Sequence, residues 1–166
     1  MNAHYVKVKD NFLDESYLKY LQKIMMGHDL PWYSNPITYQ DNADDDFQFT
    51  HKFFDFYQGP GIYFPHLEPF VEKMNIKKIY RIKANLELKT FFKRKRGYHI
   101  DFKNITTSVF YLNTNNGGTK FKGAGFVKSV ANRLVTFDSN LIHTGVSCTD
   151  KKRRFVINFN YEGTTI

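Results

Sequence analysis

At 166 residues the chain has the length of one domain around one core, and its 42% hydrophobic and 17% aromatic content, with 17 Phe and 11 Tyr, excludes a disordered polymer and suits a β-rich protein. With 24 Lys and Arg against 16 Asp and Glu, the formal charge is +8, a field that draws anions without naming one. Cys148 is the single cysteine, which excludes an internal disulfide; with no signal-like apolar opening and no apolar stretch of bilayer length, the expectation is a soluble protein of a reducing cytoplasm with no membrane partner.

Asp14 stands as a helix cap before Tyr17, Leu18, Leu21, Ile24 and Met25, whose spacing near 3.6 predicts an amphipathic helix stopping at Gly27. Asp41 to Asp46 holds four aspartates but lacks the glycine and distal glutamate of a calcium loop, so it reads as a solvated loop. Pro65 in a first turn, with Leu67, Phe70, Val71 and Met74 on one face, predicts a second helix over 64–74. From residue 78 the pattern changes to short β-branched and aromatic runs, predicting strands at 79–89, 98–102, 106–113, 119–121, 129–138 and 153–161, with a turn at 115–118. The expectation is a single domain over 1–166, with a helical front (1–77) packed on a β sandwich or barrel (78–163).

Residues i and i+2 of a strand share a face, so His99 and Asp101 present an imidazole and a carboxylate side by side. His143, just after the predicted strand, supplies a third donor, and a set of two histidines and one carboxylate leaves half an octahedron open, as a ferrous centre binding dioxygen requires. A His-x-Asp tripeptide alone also arises as an incidental strand pair, so context decides. His4, His28, His51 and His66 lie in the front half and read as ordinary residues. Further on, Lys151 to Arg154 bring basic residues into an apolar strand. One arginine turned inward would grip a carboxylate bidentately, and alternation does not choose between Arg153 and Arg154.

His99-x-Asp101, Gly117-Gly118-Thr119-x-Phe121, His143 and Arg154-Phe155, in that order, resemble the 2-oxoglutarate and Fe(II)-dependent dioxygenases, most nearly their prolyl 4-hydroxylase-like branch. The run Arg81-Ile-Lys-Ala-Asn-Leu86 is similar to small members carried by marine cyanobacterial viruses, which would place the protein in a host cytoplasm. The resemblance spans roughly residues 79–161 and implies a double-stranded β-helix, a jelly roll with the metal in its mouth. It implies Fe(II), 2-oxoglutarate and dioxygen as cofactor and co-substrates, with His99, Asp101 and His143 on the metal. Arg154 rather than Arg153 would then hold the co-substrate, leaving Phe155, Ile157 and Phe159 beneath the helices and Asn158 and Asn160 in the pocket. Tyr111 resembles a hydroxyl that bonds the co-substrate carboxylate, and Thr119 lines the same pocket. Where many relatives carry a Tyr-Pro pair this chain has Glu87-Leu88, which turns Asn85 or Glu87 to the pocket.

The implied reaction is hydroxylation coupled to decarboxylation of 2-oxoglutarate to succinate and carbon dioxide, with peptidyl-proline as the substrate the nearest branch suggests. Between Lys89 and Tyr98 five basic residues flank Phe91 and Phe92 in a loop that reads as mobile and solvated, or as a platform for single-stranded nucleic acid. Rival readings are a nucleic-acid-directed oxygenase, a non-catalytic basic jelly roll and a zinc hydrolase with the same ligands.

Overall fold

The computed structural model describes residues 6–36 and 47–163. In chain order its elements are β1 (Lys7–Lys9), α1 (Glu15–Met26), β2 (Tyr33–Pro36), β3 (Phe47–Asp55), β4 (Gly59–Pro60), a 3-10 turn (Phe64–Leu67) and α2 (Glu68–Lys73). Strands follow: β5 (Ile76–Leu88), β6 (Thr106–Tyr111), β7 (Gly118–Phe121), β8 (Gly125–Lys128), β9 (Arg133–Asp138), β10 (His143–Val146) and β11 (Arg153–Gly163). An eight-stranded sheet runs in the order β1, β9, β6, β11, β5, β3, β2, with β4 on β3, and β10, β7, β8 form a second sheet. All the pairings are antiparallel, the arrangement of a double-stranded β-helix with helices against its larger sheet.

Period-two alternation assigns each side chain to a layer. Ile82, Ala84 and Leu86 of β5 and Phe155, Ile157 and Phe159 of β11 join Leu21, Met25, Leu67 and Phe70 in one core beneath the helices. Each of the larger of these buried side chains contributes about 1.5–3 kcal/mol. The opposite faces of the same strands look toward the small sheet, where Val109, Tyr111, Val156, Phe121, Phe137 and Leu141 make a second apolar cluster. Asn132, at φ 65°, clamps the front of the chain to the sheet: it accepts from Leu13 N at 2.8 Å and donates to Leu13 O at 2.8 Å.

Several boundaries differ from those expected. The front, expected to be helical to residue 77, also contributes β1 to β4. The signal in β3 is broken by a register shift between Lys52 and Phe54, which sets two aromatics side by side where a strict alternation would separate them. β2 is a short edge strand ending in Pro36, as edge strands tolerate. The predicted strand 98–102 is reduced to a single bridge between His99 and His143, because Gly97 (φ 82°) and Asn104 (φ 60°) bend the chain on either side. Strand 129–138 begins only at Arg133, after the Asn132 turn; β8 and β10 were not expected at all. Asp14 takes the N-cap position of α1 but makes no side-chain cap bond, and the second helix opens as a 3-10 turn. The aspartate run at 41–46 and His4 lie outside the described residues. No helix among those described is long and apolar enough to cross a membrane.

Candidate metal centre

Two backbone hydrogen bonds close the 44-residue gap between the histidines: His99 N donates to His143 O and His143 N to His99 O, each at 3.0 Å. The paired backbone sets both imidazoles on one side, with ring centroids 4.7 Å apart. Each ring is then turned by its own loop. His99 Nδ1 lies 3.1 Å from Gly97 O and His143 Nδ1 2.9 Å from Leu141 O, so an Nδ1–H donor fixes the tautomer and leaves both Nε2 lone pairs pointing at a common space. Asp101 Oδ1 is 3.8 Å from His99 Nε2 and Oδ2 is 3.8 Å from His143 Nε2; the three donor atoms lie within 4.8 Å of one another. Among the described residues this is the one cluster of histidine, cysteine and carboxylate donors disposed to hold a metal ion.

The carboxylate is held from behind. Arg81 Nη2 donates to Asp101 Oδ1 at 2.8 Å, and Asn160 Nδ2 donates to Oδ2 at 3.3 Å and to Thr107 Oγ1 at 3.1 Å, while Arg81 Nε donates to Asn160 Oδ1. Burial pushes the Asp101 carboxyl up, but the Arg81 charge, then His143, His99 and the Asn160 amide, outweigh it and hold the group below its ordinary value. Burial and the neighbouring His143 hold His99 below its ordinary value, favouring the neutral, ligating imidazole. This donor chemistry fits a divalent cation: an ionised carboxylate and two imidazoles with fixed tautomers.

The cavity beyond the triad runs between the sheets and is lined by Lys83, Asn85, Glu87, Arg96, Thr119 and Arg154 among others. Arg154 is 2% exposed, whereas Arg153 lies outside, its guanidinium 5.2 Å over the Phe155 ring. Of the predicted pocket residues, Asn158, Thr119 and Asn85 line this cavity; Asn160 sits buried against Asp101. Tyr111 stands behind Thr119, donating to its Oγ1 at 2.7 Å, with the Arg154 guanidinium 5.8 Å over its ring. Asn85 and Glu87 both face inward, where one or the other was expected. Asn85 Oδ1 is buried without a hydrogen-bond partner, so the polar lining there is incomplete without an occupant.

Arg81, Lys83 and Arg96 are the charged residues of the site that sequence reasoning passed over. For two of them only a partial signal was present: Arg81, Lys83, Asn85 and Glu87 alternate with Ile82, Ala84 and Leu86, an alternation that reads as a solvated face until β5 is placed in the interior of the sheet, where this face is partly or fully buried. Lys83 shows the consequence, its amine pushed down to about 8 first by burial and then by Arg81. His28, His51 and His66 stay clear of the centre; His51 is packed on Phe53 and Tyr63 and bonded to Pro31 O.

The sequence matches no protein-family model, and no curated protein matches it. Solved structures do share its fold. An oxidoreductase of the 2OG-Fe(II) oxygenase family from Burkholderia pseudomallei superposes with a TM-score of 0.69 at 14% identity, over 96% of this chain and 86% of that one. A prolyl-4-hydroxylase from Pseudomonas putida gives 0.64 at 15% identity, over 97% and 94%. A prolyl hydroxylase from Trichoplax adhaerens, in complex with a hypoxia inducible factor peptide fragment, gives 0.62 at 14%, over 95% and 83%. At these identities the likeness is one of fold, the jelly roll that the strand order already defines.

Proposed function

We propose that the chain is an Fe(II)- and 2-oxoglutarate-dependent dioxygenase that hydroxylates a peptide, prolyl residues being the first candidates. The observation that carries this reading is the convergence of His99, Asp101 and His143 on one point of a cavity whose far wall holds an inward arginine, Arg154. When bound, ferrous iron supplies dioxygen activation coupled to decarboxylation of 2-oxoglutarate to succinate and carbon dioxide. The chain's own part is to orient. Gly97 O and Leu141 O fix the ligand tautomers, Arg81 and Asn160 hold the Asp101 carboxylate, and Arg154 takes the distal carboxylate of the co-substrate beside Thr119 and Asn85. Val109 and Val156 of the second cluster form the apolar part of the cavity wall.

The peptide reading is supported by neighbours of the same fold, one of them holding a peptide. A polyanionic substrate is the second reading, favoured by Phe91 and Phe92, which are 96% and 82% exposed among basic residues. A requirement for ferrous iron fits the reducing compartment expected from the lone Cys148, and the proposed kinship with viral members extends the same reading. Anaerobic addition of Fe(II) and then 2-oxoglutarate gives a weak visible charge-transfer band, and succinate release follows when the correct substrate and oxygen are added. Zn(II)-dependent hydrolysis with no such band, or salt-sensitive nucleic-acid binding indifferent to iron, overturns the assignment.

A further inference from the structure

Arg154 already has an anion. Its Nη1 donates to Glu87 Oε1 at 2.7 Å, its Nη2 to Gly118 O at 3.1 Å and its Nε to Ser129 Oγ at 3.3 Å. Arg154 and Glu87 are direct partners in the β11 and β5 register, so backbone pairing fixes their approach. All three nitrogens of the guanidinium are therefore engaged by the protein itself, Nη1 by the Glu87 carboxylate.

Glu87 has a second holder. Its Oε2 accepts from Arg96 Nε at 3.2 Å, and all three side chains are less than one-tenth exposed. Arg96 comes from the basic loop, which is pinned to β10 rather than loose: Arg96 N donates to Gly145 O at 3.0 Å and Ser147 N to Arg94 O at 3.0 Å. Opposite the pair stands Gly145, where a Cβ would lie 3.5 Å from Glu87 Oε1 and 3.9 Å from Arg96 Cγ, so the facing strand brings no side chain against the carboxylate. Two guanidiniums thus hold the one Glu87 carboxylate between them.

We infer that Glu87 is a resident counter-ion that the distal carboxylate of the co-substrate displaces from Arg154, Glu87 passing to Arg96, and that Glu87 thereby sets how strongly the cavity prefers a dicarboxylic to a monocarboxylic 2-oxo acid. This rests on reading the cavity as a 2-oxo acid site. Glu87 competes with the ligand for Arg154, and Arg96 lowers the cost of that exchange by keeping Glu87 paired. A monocarboxylic acid such as 2-oxobutyrate makes no demand on Arg154 and does not feel the competition.

The test is calorimetric titration of the anaerobic Fe(II) protein with 2-oxoglutarate and with 2-oxobutyrate. Glu87→Gln raises the ratio of their affinities at least tenfold in favour of 2-oxoglutarate, and Arg96→Gln lowers it at least tenfold because Glu87 is left with Arg154 alone. The double variant returns the ratio to within threefold of that of Glu87→Gln. A ratio unmoved or lowered by Glu87→Gln, or unmoved by Arg96→Gln, overturns the inference while leaving the oxygenase reading intact. Binding of Fe(II) with neither acid overturns both. Should the variants not fold, a crystal structure of the unaltered protein with 2-oxoglutarate decides: Glu87 is found on Arg96 alone, and Glu87 still on Arg154 refutes the exchange.

Discussion

Arg81 shows how much of a metal centre resides in side chains that never touch the metal. Its bond to Asp101 Oδ1 fixes the carboxylate plane and supplies the positive charge that keeps it ionised despite burial. Arg81→Met should therefore weaken Fe(II) affinity roughly 10- to 100-fold, the usual cost of losing such a support, measured by competition with a chelator on folded protein. His99→Ala, Asp101→Ala or His143→Ala should abolish 2-oxoglutarate turnover, and full turnover in any one would refute its ligand role. Lys83 makes the complementary case, a cation retained at a cost to stability. Its folded pKa of about 8 lies below the ordinary 10.5, so the unfolded chain binds the extra proton between those values. Its penalty is then complete below pH 8 and fades as pH rises toward 10.5. Lys83→Met should stabilise the metal-free protein by on the order of 2 kcal/mol at pH 7, and roughly half or less of that gain should survive at about pH 9.5. Urea denaturation at the two pH values measures it, and a gain that does not depend on pH would sink this account.

At the scale of elements, much of the triad was legible because its chemistry is local: His99 and Asp101 sit two residues apart, and His143 follows just after a predicted strand. Alternation placed Phe155, Ile157 and Phe159 on one face of their strand, but that this face lies beneath the helices was implied by the family resemblance, not by the alternation. What could not be read was anything decided by pairing. A polar face on β5 looks like a solvated face until β11 and β3 are known to flank it, and Arg96 reaches the cavity only because its loop pairs with β10. The glycine pair illustrates a motif whose reason is tertiary. A Cβ on Gly118 would come within 2.2 Å of Val127 O and 2.7 Å of the Phe126 ring, across the β7 and β8 pair. Gly118→Ala must therefore part β7 from β8 and shift the Gly118 carbonyl that accepts from Arg154. The expected loss is more than about 2 kcal/mol in stability, as for other overpacked sites, together with weaker 2-oxoglutarate binding. Denaturation and titration on the same variant check both halves.

For the whole molecule, the proposed ligands act as ties between parts that the backbone joins sparingly. The loop carrying His99 and Asp101 meets β10 through two isolated bridges, Lys95 with Val146 and His99 with His143, while Arg154 belongs to the large sheet. A metal on the triad binds that loop to the small sheet, and 2-oxoglutarate reaching from the metal to Arg154 binds both to the large sheet. Such ligands bind the folded state only, so at about 100 times the dissociation constant each adds roughly 2.7 kcal/mol. For a chain of this length that corresponds to a rise in melting temperature of roughly 5–10 °C per ligand. The two increments should be ordered: 2-oxoglutarate without Fe(II) should shift the melting temperature little, because its keto-acid end has no cation to meet. His143→Ala should erase both increments and Arg154→Ala only the second, whereas Arg153→Ala should keep both, since its guanidinium lies outside over Phe155. Anaerobic differential scanning calorimetry of the four proteins measures this directly. A full 2-oxoglutarate increment in Arg154→Ala would mean that the distal carboxylate is held elsewhere, with Lys83 the remaining cation on the cavity wall besides Arg96.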